Sequence, residues 1–428
     1  MHILFVAPTL PDPFTGGGGN WLSVYIDQLK SRHKISIVAV LGKHAYDKAR
    51  ISEIQTKLEA AGIGVTILPF TPPPVTGWKP WRVLKKLTLL ALGEYWQVLA
   101  DCSCAPTLNA EVNKLKPDVL FCAAHLSAYF AHDIDNFPKV ACLAEGFFVN
   151  RRTTMKFNIL GTDLKSILRR KKELFISYLE EHAEILALRK FSLLGFMGMH
   201  YVRWAELKKI PNAVLVSTPV PDAGMVKAEF HSTKSKCFRI LMIGHLHSTS
   251  NKTQLPLLAE MLPDIERRFA GIDVKIRIVG NNHLMPKEFD FLRKHPLLDF
   301  VGPKYPAETE FLSADVIFVP VPAETGSRVR IIQAFSLGCP VVGHDANQLG
   351  IAEILDGGNI LLSGTSSGLV DKLFALYSDP ELAKRLGASG RKTYEAAYTP
   401  KYASEVMEYW IQEAVERFKA EQQRIVIR

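Results

Sequence analysis

The feature that most restricts the fold is a rhythm. Short, continuous apolar runs recur along the chain, each closed by a glycine or a turn and followed by a segment of helical spacing. Apolar runs without polar alternation suit strands covered on both faces, and strands that alternate with helices build parallel sheets. His2–Ala7 is the first such run. It leads through a turn region, Pro8–Gly19, that ends in four glycines. Asn20–Lys30 follows with Leu22, Val24, Tyr25, Ile26 and Leu29 at helical spacing, and Ile35–Leu41 is the next strand. Strand, glycine loop, helix and strand make a βαβ unit. Val65–Leu68, Val119–Ala123, Val140–Leu143 and Val214–Ser217 continue the strand series, and residues 164–194 read as helix.

The rhythm breaks between Thr218 and Cys237, where prolines, a glycine and a polar, basic segment intervene. A second series opens at Phe238. Ile240–Ile243, Val274–Val279, Phe300–Gly302, Val316–Val319 and Val341–Val342 read as strands, with a helix over Leu255–Phe269. Residues 400–428 form a long helical pattern rich in Glu, Lys and aromatics, able to cross back to the first half. The expected organisation is a first doubly wound α/β domain over 1–222, a linker over 223–237, a second over 238–399, and a helix over 400–428 that completes the first.

Length agrees: at roughly 150 residues per domain, 428 residues suggest two or three. The apolar fraction of 47% and charged fraction of 22% are those of an ordinary folded chain. A net charge of +9 favours anionic partners, whether phosphates, nucleic acid or an acidic membrane surface. No aromatic-and-basic sheet motif or other nucleic-acid module accompanies that charge, so nucleic acid is not expected as a partner. The six cysteines are scattered and form no CxxC pair, which argues against a zinc ribbon or redox motif and for free core thiols in a reducing compartment. Met1–Ala7 has no basic n-region and reads as a strand, not a signal peptide. No run of about 18 apolar residues predicts a spanning helix. The expected location is cytoplasmic, with peripheral contact on the inner face of a membrane. Two basic segments motivate that contact: Trp78–Leu87, which mixes tryptophans with lysines and an arginine, and residues 151–175, with eight Lys or Arg against Asp163 and Glu173.

Three segments carry chemistry. The first is the glycine loop after the first strand. Gly17 and Gly18 allow close backbone approach, and the following helix aims its amides at the same space, a natural phosphate site. No GK[ST] follows, so it is not a P-loop. The second is Gly244–Lys252, directly after a strand, where His245 and Lys252 are placed to meet a diphosphate. His245 and His247 lack a third ligand nearby, which makes them a poor metal site. The third is the densest, Pro320–Val342. A buried strand ends at Pro320, a loop with Gly326 and Ser327 leads into a helix that Ser327 is expected to cap, and Arg328 and Arg330 lie in its first turn. Cations there oppose the helix dipole, a cost that an anionic ligand between them would offset.

At this point the sequence resembles the C-terminal half of family 4 glycosyltransferases. That family often carries a glycine–Thr/Ser–Arg–x–Lys/Arg–Ile–x–Glu–Ala–Met/Phe–x–x–Gly–x–Pro–Val–Val stretch. Here it stands as Gly326–Val342, Gly-Ser-Arg-Val-Arg-Ile-Ile-Gln-Ala-Phe-Ser-Leu-Gly-Cys-Pro-Val-Val. Gly350–Leu362, Asp379–Arg391 with Tyr398-Thr-Pro400, Val279-Gly280, Phe300–Gly302 and Ala314–Val316 fall in the family's order, so the similarity covers residues 238–400. The family often places two glutamates eight positions apart around this loop; here Thr325 and Gln333 stand in their places, with Glu324 next to Thr325.

The resemblance implies the GT-B fold, two Rossmann-like doubly wound domains facing a cleft with a C-terminal helix crossing back to the first. It implies transfer with retention of configuration from a UDP- or GDP-sugar to a saccharide, a lipid-linked saccharide or a similar acceptor. No cofactor and no metal are then required. Donor contacts would come from Gly17, Gly18, Gly244, His245, Lys252, Gly280, Tyr305, Glu324, Thr325, Gly326, Ser327, Arg328, Arg330 and Gln333, the last beside the ribose. In the first domain, His125 after strand Val119–Ala123 occupies a place where the family may put a histidine facing the donor sugar, and Glu145 is the candidate for orienting the acceptor. Asp133-Ile-Asp135 would spell the metal motif of the other glycosyltransferase fold, but it does not follow a strand directly and reads as chance. A non-catalytic nucleotide-sugar-binding protein of the same fold is the competing reading.

Overall fold

The structure is a computed structural model that describes residues 1–12, 17–42, 48–70, 84, 87, 88, 91, 104–157, 164–228, 237–246, 248–282 and 285–427. Thr15, Gly16, most of the Trp78–Leu87 segment, residues 229–236 of the expected linker and His247 lie outside the described residues. The chain divides into two compact units, Met1–Pro219 with residues 400–428, and Val220–Thr399.

The first unit is built on a seven-stranded parallel sheet of order β3-β2-β1-β4-β5-β6-β7. Its strands are β1 (His2–Ala7), β2 (Lys34–Gly42), β3 (Gly64–Phe70), β4 (Val119–Ala123), β5 (Lys139–Leu143), β6 (Leu193–Phe196) and β7 (Ala213–Leu215). Its helices are α1 (Gly17–Leu29), α2 (Lys48–Ala60), α3 (Cys104–Leu115), α4 (His125–Ala131), α5 (Phe147–Lys156), α6 (Leu164–Leu188) and α7 (Met199–Leu207). The side chains of β1 show why its run is unbroken: Ile3, Phe5 and Ala7 enter one core and Leu4 and Val6 the other. Because successive side chains point to opposite faces, a strand covered on both sides needs apolar residues at every position.

Two expectations change here. The helix over 164–194 ends at Leu188, and Leu193–Phe196 is the strand β6. An apolar run after a 25-residue helix reads locally as its continuation. The sheet takes it because Gly195 lets the chain lie against its neighbours: a Cβ there would come within 2.8 Å of Val216. The glycine loop expected through Gly19 is also shorter, since α1 begins at Gly17.

The second unit holds a six-stranded parallel sheet of order β10-β9-β8-β11-β12-β13. The strands are β8 (Phe238–Ile243), β9 (Val274–Val279), β10 (Leu298–Gly302), β11 (Val316–Val319), β12 (Val341–His344) and β13 (Leu361–Ser363). Around them lie α8 (Thr249–Lys252), α9 (Gln254–Arg268), α10 (Glu308–Ser313), α11 (Val329–Ser336), α12 (Ser366–Ser378) and α13 (Pro380–Ala397). Residues 220–228, read from sequence partly as linker, are fastened to this unit. The buried Lys227 ammonium donates to the carbonyls of Leu312 and Ala314 at 3.0 and 2.7 Å, and the Tyr394 hydroxyl donates to Val220 O at 2.8 Å.

The last helix, α14 (Pro400–Ile427), belongs to the first unit. Ala403, Met407, Ile411 and Ala414 recur at spacings of three and four and enter the same core as β1. Glu408 pairs with Arg32 and His33, each at 2.7 Å. The first unit therefore depends on a segment far away in sequence. We expect Ile411→Ala, which empties a fully buried position, to cost about 2–4 kcal/mol in the urea-induced unfolding of this unit, followed by far-UV circular dichroism.

Candidate functional site

In a doubly wound sheet the loops after the two strands flanking the order reversal splay apart, which leaves a crevice at the carboxyl edge. In the second unit that reversal lies between β8 and β11. β8 runs into Gly244 at φ 136°, and β9 into Gly280 at φ 140°. Both are conformations that a side chain would strain. The two turns also touch: a Cβ on Gly280 would lie 2.3 Å from the Gly244 carbonyl oxygen.

A guanidinium lies against the first turn. A Cβ on Gly244 would sit 2.9 Å from Arg330 Nη1. Arg330 Nη2 donates to Asn251 Oδ1 at 2.7 Å. Asn251 is buried on α8 and is fixed in turn: its backbone N donates to the Ser248 hydroxyl at 3.3 Å and its Nδ2 to the His245 carbonyl at 3.0 Å. His245 Nδ1 accepts from Asn281 N at 3.1 Å, which places the ring proton of a neutral imidazole on Nε2. Arg330 keeps some accessible surface, yet the protein around its charged end pushes its pKa down, burial first and repulsion from Arg328 second. Guanidinium remains charged at neutral pH, so this is a standing electrostatic cost. Among the described residues its hydrogen-bond partner is the neutral Asn251, and no carboxylate pairs with it. Lys252, half-buried on the same short helix as Asn251, adds a second cation.

The loop after β11 is held from inside. Ser327 does not cap α11, contrary to expectation; the cap position is Arg328, at φ 48° and ψ 54°, with no side-chain cap bond. The left-handed backbone turns the Arg328 side chain into the protein. There its Nε donates to Asn347 Oδ1 at 3.1 Å and its Nη2 to the Ala323 carbonyl. Asn347 Nδ2 donates to the carbonyls of Val319 and His344 at 3.1 and 2.7 Å. Gly350 allows this closeness, since a Cβ would lie 2.3 Å from Gly326 O. Arg328 thus braces the loop, and Arg330 reaches the glycine turn. Thr325 is 3% exposed, and its hydroxyl has no hydrogen-bond partner among the described residues. Glu324 is exposed on the same loop. Further along α11, Gln333 Nε2 lies 3.5 Å from Glu308 Oε1 on α10, at the limit of a hydrogen bond. Tyr305 follows the outer strand β10 and is 75% exposed.

In the first unit the reversal lies between β1 and β4. Gly17 and Gly18 form the opening turn of α1, whose first amides have no partner within the helix. His125 starts α4 directly after β4, behind Ala124 at φ 72° and ψ 164°. That region is almost reserved for glycine, and strain of this kind gathers at functional positions. His125 is buried, with Nδ1 2.9 Å from Glu184 Oε1, although the pair is off hydrogen-bond alignment. Glu184 comes from α6 and lies under Gly146, where a Cβ would approach its carboxylate to 2.9 Å. Glu145 follows β5 beside that glycine and is half-buried. Asp133 and Asp135 sit in the turn after α4 and pair with Lys190 and Lys139 at 2.6 and 2.9 Å.

Gly244, His245, Lys252, Gly280 and Arg330 therefore gather at adjoining strand ends, while Glu324, Thr325, Gly326, Ser327 and Arg328 share the next loop. Sequence reasoning did not single out Asn251, Glu308, Asn347 or Glu184. Each acts on a partner 19 or more positions away, as in the 79-residue separation of Asn251 and Arg330, so no local pattern announced it.

Residues 237–379 match the family model described as Glycosyl transferases group 1. No curated protein matches the chain by sequence. Several solved structures share its architecture. The Anabaena protein HepE in complex with UDP and glucose is 15% identical with a TM-score of 0.60, over 95% of this chain and 98% of that one. Sucrose-phosphate synthase from Thermosynechococcus elongatus is 12% identical with a TM-score of 0.62, over 100% of both chains. The lipopolysaccharide outer core galactosyltransferase WaaB, in its apo form, is 12% identical with a TM-score of 0.60, over 97% of this chain and 99% of that one. Residues 237–379 thus carry the match to group 1 glycosyl transferases, within a chain that has the GT-B fold.

Proposed function

We propose that the chain is a retaining glycosyltransferase of the family 4 type. It moves a sugar from a UDP- or GDP-sugar to a saccharide, lipid-linked saccharide or similar acceptor, with no metal or cofactor required. In this reading residues 1–222, completed by helix 400–428, are the acceptor-side domain and residues 238–399 the donor domain. The enzyme works on the cytoplasmic side, against the inner face of a membrane.

The observation that carries the proposal is Arg330. Its guanidinium is desolvated, positioned by Asn251 against the Gly244 turn, and paired with no carboxylate among the described residues. A diphosphate supplies the missing charge, and it is also the group on which negative charge grows as the glycosidic bond to the nucleotide breaks. A cation already aimed at that position stabilises the departing group without reorganising. Lys252 adds a second positive charge, and the Gly17 and Gly18 amides offer the donors typical of a phosphate-binding helix start. Gln333, with Glu308 beside it, offers oxygens to a ribose diol. His125 faces the donor sugar in this scheme, its ring oriented by Glu184, and Glu145 orients the acceptor. The UDP and glucose held by the Anabaena protein support a UDP-sugar donor, and the outer core named for WaaB supports a saccharide acceptor.

The second reading, a nucleotide-sugar binder without turnover, has one observation in its favour. The places where the family often has glutamates hold Thr325, whose buried hydroxyl lacks a partner among the described residues, and the uncharged Gln333.

Screening UDP, GDP, ADP and their sugars by thermal shift identifies the donor, because ligand binding to the folded state raises the melting temperature. Arg330→Met is expected to weaken nucleoside diphosphate binding by about tenfold or more, while the ligand-free melting temperature does not fall, since replacing a desolvated charge by an apolar side chain is often neutral or stabilising. Unchanged affinity would contradict the placement of the diphosphate. Glu184→Ala is expected to lower kcat by about 10–100-fold through loss of His125 orientation, with donor affinity preserved and partial recovery in Glu184→Gln. Binding without transfer or hydrolysis, tried with saccharide and lipid-linked acceptors, would establish the non-catalytic reading instead.

A further inference from the structure

The N-terminal half of α6 carries a surface that glycosyl transfer does not use. The C-terminal half of the helix turns Ser177, Glu180, Glu181 and Glu184 inward, where they are buried. The opposite face is apolar and open. Leu164 is 73% exposed, Leu168 60%, Phe175 55% and Tyr178 57%, with Ile167 and Leu174 also exposed. At 100° per residue these six side chains fall within one arc of about 120°, the width of a face that normally turns toward a core. Scattered exposed leucines carry no message, but an aligned stripe of this size marks an interaction surface.

Charge narrows the partner. Lys165 and Lys172 flank the stripe on one side, Arg170 on the other, and Lys171 lies within it. Over residues 151–175 there are eight basic side chains against Asp163 and Glu173, and Glu173 already pairs with Arg151. Beside the stripe, Arg152, Met155 and Lys156 of α5 and Arg170, Lys171 and Leu174 of α6 line a shallow cavity of about 390 Å³ whose walls are mostly apolar, and the Arg152 guanidinium is paired with Glu181. Large apolar side chains ringed by lysine and arginine complement a bilayer whose headgroups are anionic. A second copy of the same face would bring like charges together.

We propose that this face of α6 docks on an anionic lipid bilayer, with its apolar side chains in the interfacial layer and the lysines and arginines beside them on the anionic headgroups. This deepens the membrane contact of the reading above, but it stands on exposure and charge alone and survives if no sugar is transferred. No helix among the described residues is long and apolar enough to cross a membrane, so the contact is a surface one.

Co-sedimentation with vesicles of phosphatidylcholine alone, and with vesicles that also contain phosphatidylglycerol, tests it. At low salt we expect binding about tenfold or more stronger to the anionic vesicles, falling steeply as salt is raised. The double variant Leu168→Glu, Phe175→Glu is expected to lose about tenfold or more of that affinity, as is Arg170→Ala, Lys171→Ala, which leaves the apolar stripe intact. Melting temperature and nucleotide affinity should match the parent in both, which separates loss of docking from loss of fold and from failure of the donor reading. No binding to anionic vesicles at low salt, equal binding to both vesicle types, or binding untouched by either variant would overturn the proposal. A concentration-dependent dimer that Leu168→Glu, Phe175→Glu disperses would overturn it as well, by assigning the face to self-association.

Discussion

Parallel pairing aligns every strand of a sheet in the same direction, and the rest of this structure depends on that constraint. It puts all the carboxyl ends on one edge, so Gly244, Gly280 and Arg330 of α11 meet although they are far apart in sequence. It also requires helices on both faces, which is why β1 buries alternate residues in two separate cores. Closing one of those cores takes α14 from the far end of the chain. The core stripe through Met407 and Ile411 is as much a part of the first unit as the strands are.

Within this frame the second unit spends stability on charge. Two guanidiniums are drawn toward the end of β11, and their environments differ. Arg328 is satisfied by Asn347 and a carbonyl of its own loop, at the cost of a left-handed backbone. Arg330 is held by one neutral side chain while burial and its neighbour's charge push its pKa down. The first arrangement shapes the loop. The second leaves a desolvated cation with no carboxylate beside it among the described residues, the feature on which the proposed diphosphate site rests.

In the first unit, α6 does two things with its two faces. Its buried face presents carboxylates inward: Glu180 to Arg151 at 2.7 Å, Glu181 to Arg152 at 2.6 Å and Glu184 to His125 at 2.9 Å. Its outer face presents leucine, phenylalanine and tyrosine to solvent among lysines and arginines. Acidic inside and apolar outside reverses the usual pattern of a surface helix, which follows if the outer face meets lipid and the inner one anchors the strained turn at Ala124 and His125.

The sequence alone determined the fold class and most strand positions, because buried strands, glycine turns and helix starts are written in short local patterns. It also singled out Arg330, a cation in the first turn of a helix, and, through the family resemblance, His125 after β4. Only the tertiary structure decided how those residues are held. It separated Arg328, turned inward, from Arg330, turned to the glycine turn, because backbone handedness at one residue sets the direction of a side chain. It made Leu193–Phe196 a strand, since pairing with β5 outweighs the local likeness to a helix. It brought in Asn251, Asn347 and Glu184, whose partners come from elements distant along the chain. Periodicity reports which face of an element is apolar, but whether that face is covered depends on its neighbours in space, and so the open stripe of α6 became visible only in the folded chain.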